Sequence, residues 1–117
     1  MANPLSERLG VTLRRDGARS VISCSGELDH STRDRFYRTA IAEVTDSAIR
    51  HVEVDLSEVT FLSAAGVHGL CELARAAERH ATTFELGPAG GLVERILTIV
   101  GLREQRSSPP PDTAPPA

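Results

Sequence analysis

The run Val52-Glu53-Val54-Asp55-Leu56-Ser57-Glu58-Val59-Thr60-Phe61-Leu62-Ser63-Ala64-Ala65-Gly66-Val67-His68-Gly69-Leu70 changes its hydrophobic period partway along. Val52, Val54 and Leu56 alternate with His51, Glu53 and Asp55, the period of two of a half-buried strand, and Ser57-Glu58 reads as its stop. From Ala65 onward Val67, Leu70, Cys71, Ala74 and Ala77 share one helical face, while Glu72, Arg75, Glu78 and Arg79 point elsewhere. A strand that leads through a short connection into an amphipathic helix leaves that helix's first N–H groups at one edge of the domain, a common place for function.

The flanking segments extend this pattern. Upstream, Val11–Arg15 and Ser20–Ser25 alternate about Asp16-Gly17, which predicts an antiparallel hairpin. Phe36, Ala40, Ile41 and Val44 then fall at helical spacing, with Ser31 or Thr32 as N-cap, and predict a helix over about 32–46. Downstream, Thr82–Leu86 predicts a strand closed by Gly87-Pro88, and Leu92, Val93, Ile96, Leu97 and Val100 predict a helix ending at Gly101, with Leu102 folding back. The order is ββαβαβα. It implies an α/β fold: a mixed four-stranded sheet, an N-terminal antiparallel hairpin then parallel strands, with helices packed on it.

A chain of 117 residues supports one core, and an aromatic content of 3% makes that core aliphatic. Residues 1–9 read as an N-terminal segment, 10–105 as the domain and 106–117 as a disordered Pro-rich tail with no apolar surface to offset its ordering. A net charge of -3 argues against nucleic acid as partner. No signal peptide or bilayer-spanning run is visible, so the expected location is the cytoplasm, with no membrane insertion. All 13 basic residues are arginine, as GC-rich bacterial coding would produce. Cys24 and Cys71 form no CxxC pair and read as free thiols.

Three constellations carry little chemistry. His51, Glu53 and Asp55 share one strand face, but same-face neighbours lie about 7 Å apart, so the expectation is a polar strand face and no metal. Ser63 lies in no GxSxG elbow and reads as an N-cap, which contributes about 1 kcal/mol. Gly87-Pro88-Ala89-Gly90-Gly91 lacks phosphate-loop spacing and reads as a strand-to-helix turn. No enzyme activity and no cofactor are expected.

Gly26-Glu27-Leu28-Asp29, Val54-Asp55-Leu56-Ser57-Glu58-Val59-Thr60-Phe61 and Gly66-Val67, in that order and spacing, resemble a STAS domain of the anti-sigma-factor antagonist type over about residues 10–105. The resemblance implies a binding module that docks on an anti-sigma factor, usually a serine kinase, and so releases a sigma factor. In phosphorylatable members the loop reads Asp-Ser-Ser/Thr-Gly, and the first serine is phosphorylated. Aligning Gly66 places Ser63 at the aspartate and Ala64 at the phospho-acceptor position, which Ala64 cannot serve. A shift of one residue turns a side chain by about 100° on a helix, so Ser63 is a poor substitute acceptor. The implied docking patch comprises Leu28 as apolar area, Asp29 facing a basic group, the loop Ser63, Ala64, Ala65 and Gly66, then Val67 and an exposed His68. The alternatives are a scaffold or accessory subunit of a stressosome-like or lipid-transport complex, and a small-ligand binder.

Overall fold

The structure, a computed structural model, describes residues 8–103, so the Pro-rich tail and most of the N-terminal segment lie outside the described residues. Strands β1 (Leu9–Asp16) and β2 (Arg19–Leu28) form the hairpin, with Asp16 paired to Arg19 and Gly17 at φ +63° in the turn. Helix α1 (Arg33–Val44) leads to β3 (His51–Leu62), α2 (Ala64–Arg79) to β4 (Thr83–Ala89), and α3 (Gly91–Ile99) follows. The sheet is ordered β1-β2-β3-β4, with β2, β3 and β4 parallel and β1 antiparallel to β2. This is the mixed α/β architecture expected from the hydrophobic periods.

The core is one cluster. Ile22, Cys24 and Leu28 of β2, Val52, Val54 and Leu56 of β3, and Phe84 and Leu86 of β4 meet Phe36, Ala40 and Val44 of α1, Leu70, Leu73, Ala76 and Ala77 of α2, and Val93 and Leu97 of α3. Each fully buried large aliphatic or aromatic side chain contributes about 1.5–3 kcal/mol. The helix α3 ends as its sequence predicts: Gly101 takes φ +82°, Leu102 N–H donates to Leu97 O at 2.9 Å, and the Leu102 side chain is buried.

A buried carboxylate ties the hairpin to α1. Arg15 forks onto Glu43 at 2.9 and 3.0 Å, Ser20 Oγ donates to Glu43 Oε1 at 2.8 Å, and the second guanidinium arm also reaches Asp46 at 2.8 Å. The Arg15 hydrogen bonds hold the Glu43 carboxyl below its ordinary value, against the opposing effect of burial.

Several expected element ends differ from the structure: β2 runs past Ser25 to Leu28, and β4 is not closed by Gly87-Pro88 but continues through them to Ala89. The strand β3 does not stop at Ser57-Glu58 but runs to Leu62, because two register shifts against β2 each let β3 carry an extra residue. Asp55 Oδ1 accepts from Ser57 N–H at 2.9 Å at the first shift. The helix α1 is shorter than 32–46, and Thr32 makes no side-chain cap bond to it. Its Oγ1 instead donates to Glu27 O at 2.7 Å and accepts from Asp29 N–H at 3.0 Å.

Candidate functional site: the start of α2

Ser63 leaves β3 in extended conformation, at φ -89° and ψ 175°, and caps α2 by accepting from Gly66 N–H at 3.3 Å. Its own N–H donates to Leu28 O at 3.1 Å, which clamps the loop to the end of β2. Gly66 sits so close beneath that a Cβ there would lie 2.6 Å from Leu28 O. The small residue is therefore required by packing.

The loop sorts into buried and accessible parts. Ala64 and His68 are exposed, Ser63, Ala65 and Val67 are half-buried, and Gly66 is buried. Leu28, expected to offer apolar area, has no exposure at all; its alternation on β2 turns it into the core, where it supports Gly66. Asp29 is 8% exposed and already has a basic partner, Arg8, at 2.6 Å, so meeting a second base would require Arg8 to give way. The other Asp29 oxygen accepts from Ser31 N–H at 2.9 Å and Thr32 N–H at 3.2 Å, which makes this residue the organiser of the turn into α1.

Arg8 also binds Glu27 at 2.5 Å, and the Glu27 hydrogen bond, with the nearby Asp29 charge, raises the guanidinium pKa further. On the α1 side, Arg33 donates to Glu72 at 2.5 Å, and His68 Nδ1 lies 3.7 Å from the same carboxylate. Phe61, 46% exposed, precedes the loop by two residues. Reading the sequence for period two missed Phe61 because the bulges reset the alternation before it; its value as a signal was that it is one of only 3 phenylalanines.

The remaining residues singled out from sequence fall elsewhere. His51 and Glu53 lie at the opposite end of β3 and gather Glu85 of β4, not Asp55, into a cluster. Cys24 and Cys71 are both free thiols, and burial pushes the Cys24 thiol up to about 12. Gly87 is buried within β4, and Gly90 caps α3 through its carbonyl alone, accepting from Glu94 N–H at 2.7 Å. Among the described residues no helix is long and apolar enough to cross a membrane.

A family model described as "Mlab, STAS domain" matches residues 11–106, and the chain belongs to the STAS domain family. Within that family its fold is similar to that of anti-sigma factor antagonists. One from Mycobacterium paratuberculosis superposes with a TM-score of 0.75 at 26% identity, over 91% of this chain and 87% of that one. The anti-sigma factor antagonist SpoIIAA in its unphosphorylated form gives 0.69 at 20% identity, over 82% and 84%. The murine anion transporter Slc26a9 shares the fold over 80% of this chain but only 15% of its own, with a TM-score of 0.67 at 19% identity. No curated protein sequence matches the chain.

Proposed function

We propose that this protein is a cytoplasmic regulator that works by binding: it docks on a kinase-type anti-sigma factor through the start of α2 and so frees a sigma factor. The observation that carries this reading is the hydroxyl-free first turn of α2, in which Ala64 is exposed between the capping Ser63 and the buried Gly66. Its antagonist relatives supply the partner class. The patch is Ser63, Ala64, Ala65, Val67 and His68, with Phe61 two residues before it, Leu28 and Gly66 holding it from beneath, and Asp29 at the adjoining turn into α1. Any ATP belongs to the partner, and no cofactor or catalytic step is assigned to this chain. With Ala64 where a phospho-acceptor serine stands in switchable relatives, the module stays in its binding-competent form.

Ala64→Arg tests the docking face, since an exposed alanine can be replaced without disturbing the core. The variant should bind the anti-sigma factor at least about tenfold more weakly with an unchanged unfolding midpoint, as truncating or blocking a central contact does. Equal binding by both proteins would sink the reading. Incubation with that kinase and ATP, read by intact mass, should leave the chain unmodified; a stoichiometric phosphate on Ser63 overturns the locked state. The fold of Slc26a9 favours a second reading, an accessory subunit of a transport complex, and recovery of a transporter subunit instead of a kinase would select it.

A further inference from the structure

At the start of β3, away from the docking loop, three side chains meet on the sheet face that does not contribute Val52 and Val54 to the core. His51 and Glu53 of β3 and Glu85 of β4 each offer a ligand atom, and these atoms lie within 4.8 Å of one another. In the parallel register His51 pairs with Thr83 and Glu53 pairs directly with Glu85. Two carboxylates facing each other across neighbouring strands repel. Arg19 pairs with Glu53 and neutralises one of them, which leaves the cluster with one net negative charge when His51 is neutral.

The Thr83 hydroxyl sits between two acceptors, 3.1 Å from Arg50 O and 2.5 Å from His51 Nδ1. When it gives its single proton to Arg50 O, Nδ1 carries the ring proton and Nε2 presents a lone pair. That Nε2 is buried and has no hydrogen-bond partner. Its nearest charged neighbour is Glu85 Oε1 at 3.4 Å, another acceptor. In that tautomer two acceptors face each other, and a cation between them would satisfy both.

We infer that His51, Glu53 and Glu85 form a divalent metal site of the zinc class. Tetrahedral bonds of about 2.0–2.1 Å place neighbouring ligand atoms about 3.3–3.5 Å apart, the separation already present between Nε2 and Glu85 Oε1. Glu53 has a second carboxylate oxygen beyond the one Arg19 holds, and the Glu53 ligand atom lies within 4.8 Å of the other two. The Thr83 contact is the outer hydrogen bond that metal-binding histidines use to fix ring orientation. A groove of about 450 Å³ lined in part by Glu53, Glu85, Gly87, Glu94 and Arg103 opens beside the cluster. Reading β3 alone missed this because the third ligand comes from the neighbouring strand, where Glu85 takes the place that Asp55 is too far along β3 to fill.

The full chain, stripped with a chelator, is titrated with zinc chloride against a chromophoric competitor at neutral pH. One equivalent should bind saturably, and His51→Gln and Glu85→Gln should each weaken binding by about tenfold or more, whereas Asp55→Asn should leave it unchanged. Thermal unfolding of each variant without metal separates loss of a ligand from loss of the fold. Nitrogen NMR of the metal-free imidazole should show the proton on Nδ1. The inference is overturned by an absence of saturable binding, by undiminished binding in His51→Gln, or by a proton on Nε2. The site is remote from Ala64, so none of these outcomes bears on docking, and a failure of docking does not bear on the metal.

Discussion

Gly66 and Gly69 lie one turn apart on α2 and make opposite predictions for the same substitution. Alanine raises helix stability over glycine by about 1 kcal/mol in a helix interior. At Gly69 the added Cβ would meet Arg33 Cγ at 3.5 Å and Nε at 3.6 Å, ordinary contacts with a flexible side chain, so Gly69→Ala should stabilise by about 0.5–1 kcal/mol. At Gly66 it would lie 2.6 Å from Leu28 O, 2.8 Å from Leu62 Cδ1 and 3.1 Å from Leu28 Cγ. Leu28 O is fixed by the bond it accepts from Ser63 N–H, so α2 itself must shift outward. Overpacking of that kind costs about 1–3 kcal/mol, and against a rigid carbonyl the upper end applies, which leaves a net loss of about 1–2 kcal/mol after the helix gain. Urea unfolding should lower the midpoint of Gly66→Ala by about 1 M and raise that of Gly69→Ala. A Gly66→Ala protein as stable as wild type would refute the close approach of α2 to β2. The same geometry makes Gly66→Arg a test of folding, not of docking, which is why the exposed Ala64 is the better probe.

Two further outcomes follow from the buried polar and thiol groups. Because Glu43 has a lowered pKa in the folded chain, its contribution is complete above the ordinary value of 4.5 and is lost as pH falls through the folded value; stability measured by denaturant from pH 7 to pH 3 should therefore decline less steeply in Glu43→Gln than in wild type. With the Cys24 thiol pushed up to about 12 by burial, a thiol reagent at pH 8 should modify Cys71 in the native protein and reach Cys24 only on unfolding, and equal rates at both would contradict the burial.

Most of the architecture is legible in local patterns, and the exceptions have physical causes. Alternation over Val52–Leu56, the helical stripe from Val67 and the Gly101-Leu102 stop each report a local geometry, and the structure follows them. Beyond Leu56 the burial of β3 repeats every third residue, with Leu56, Val59 and Leu62 inside and pairs of exposed residues between them. That rhythm is produced by bulges, which depend on the register with β2, and no reading of β3 by itself contains it. The capping role of Ser63 and the exposure of Ala64 and His68 could be read from helix phase. The burial of Leu28 and the capture of Asp29 by Arg8 could not, because the first depends on the close approach of α2 to the end of β2 and the second on the residue that the hairpin brings across from the start of β1.

The order of strands in the sheet has a consequence for how the chain reaches this state. Every strand lies beside its predecessor in sequence, so assembly from the N-terminus never requires a segment to slip between two already paired neighbours. The hairpin closes through a two-residue turn, and each later strand arrives behind a single helix that covers the growing apolar face. Elongation on the ribosome can thus deposit the sheet one strand at a time. At each stage the growing edge is the one the next segment occupies, which limits the time that edge is available to other chains, whereas the outer edge of β1 stays open throughout.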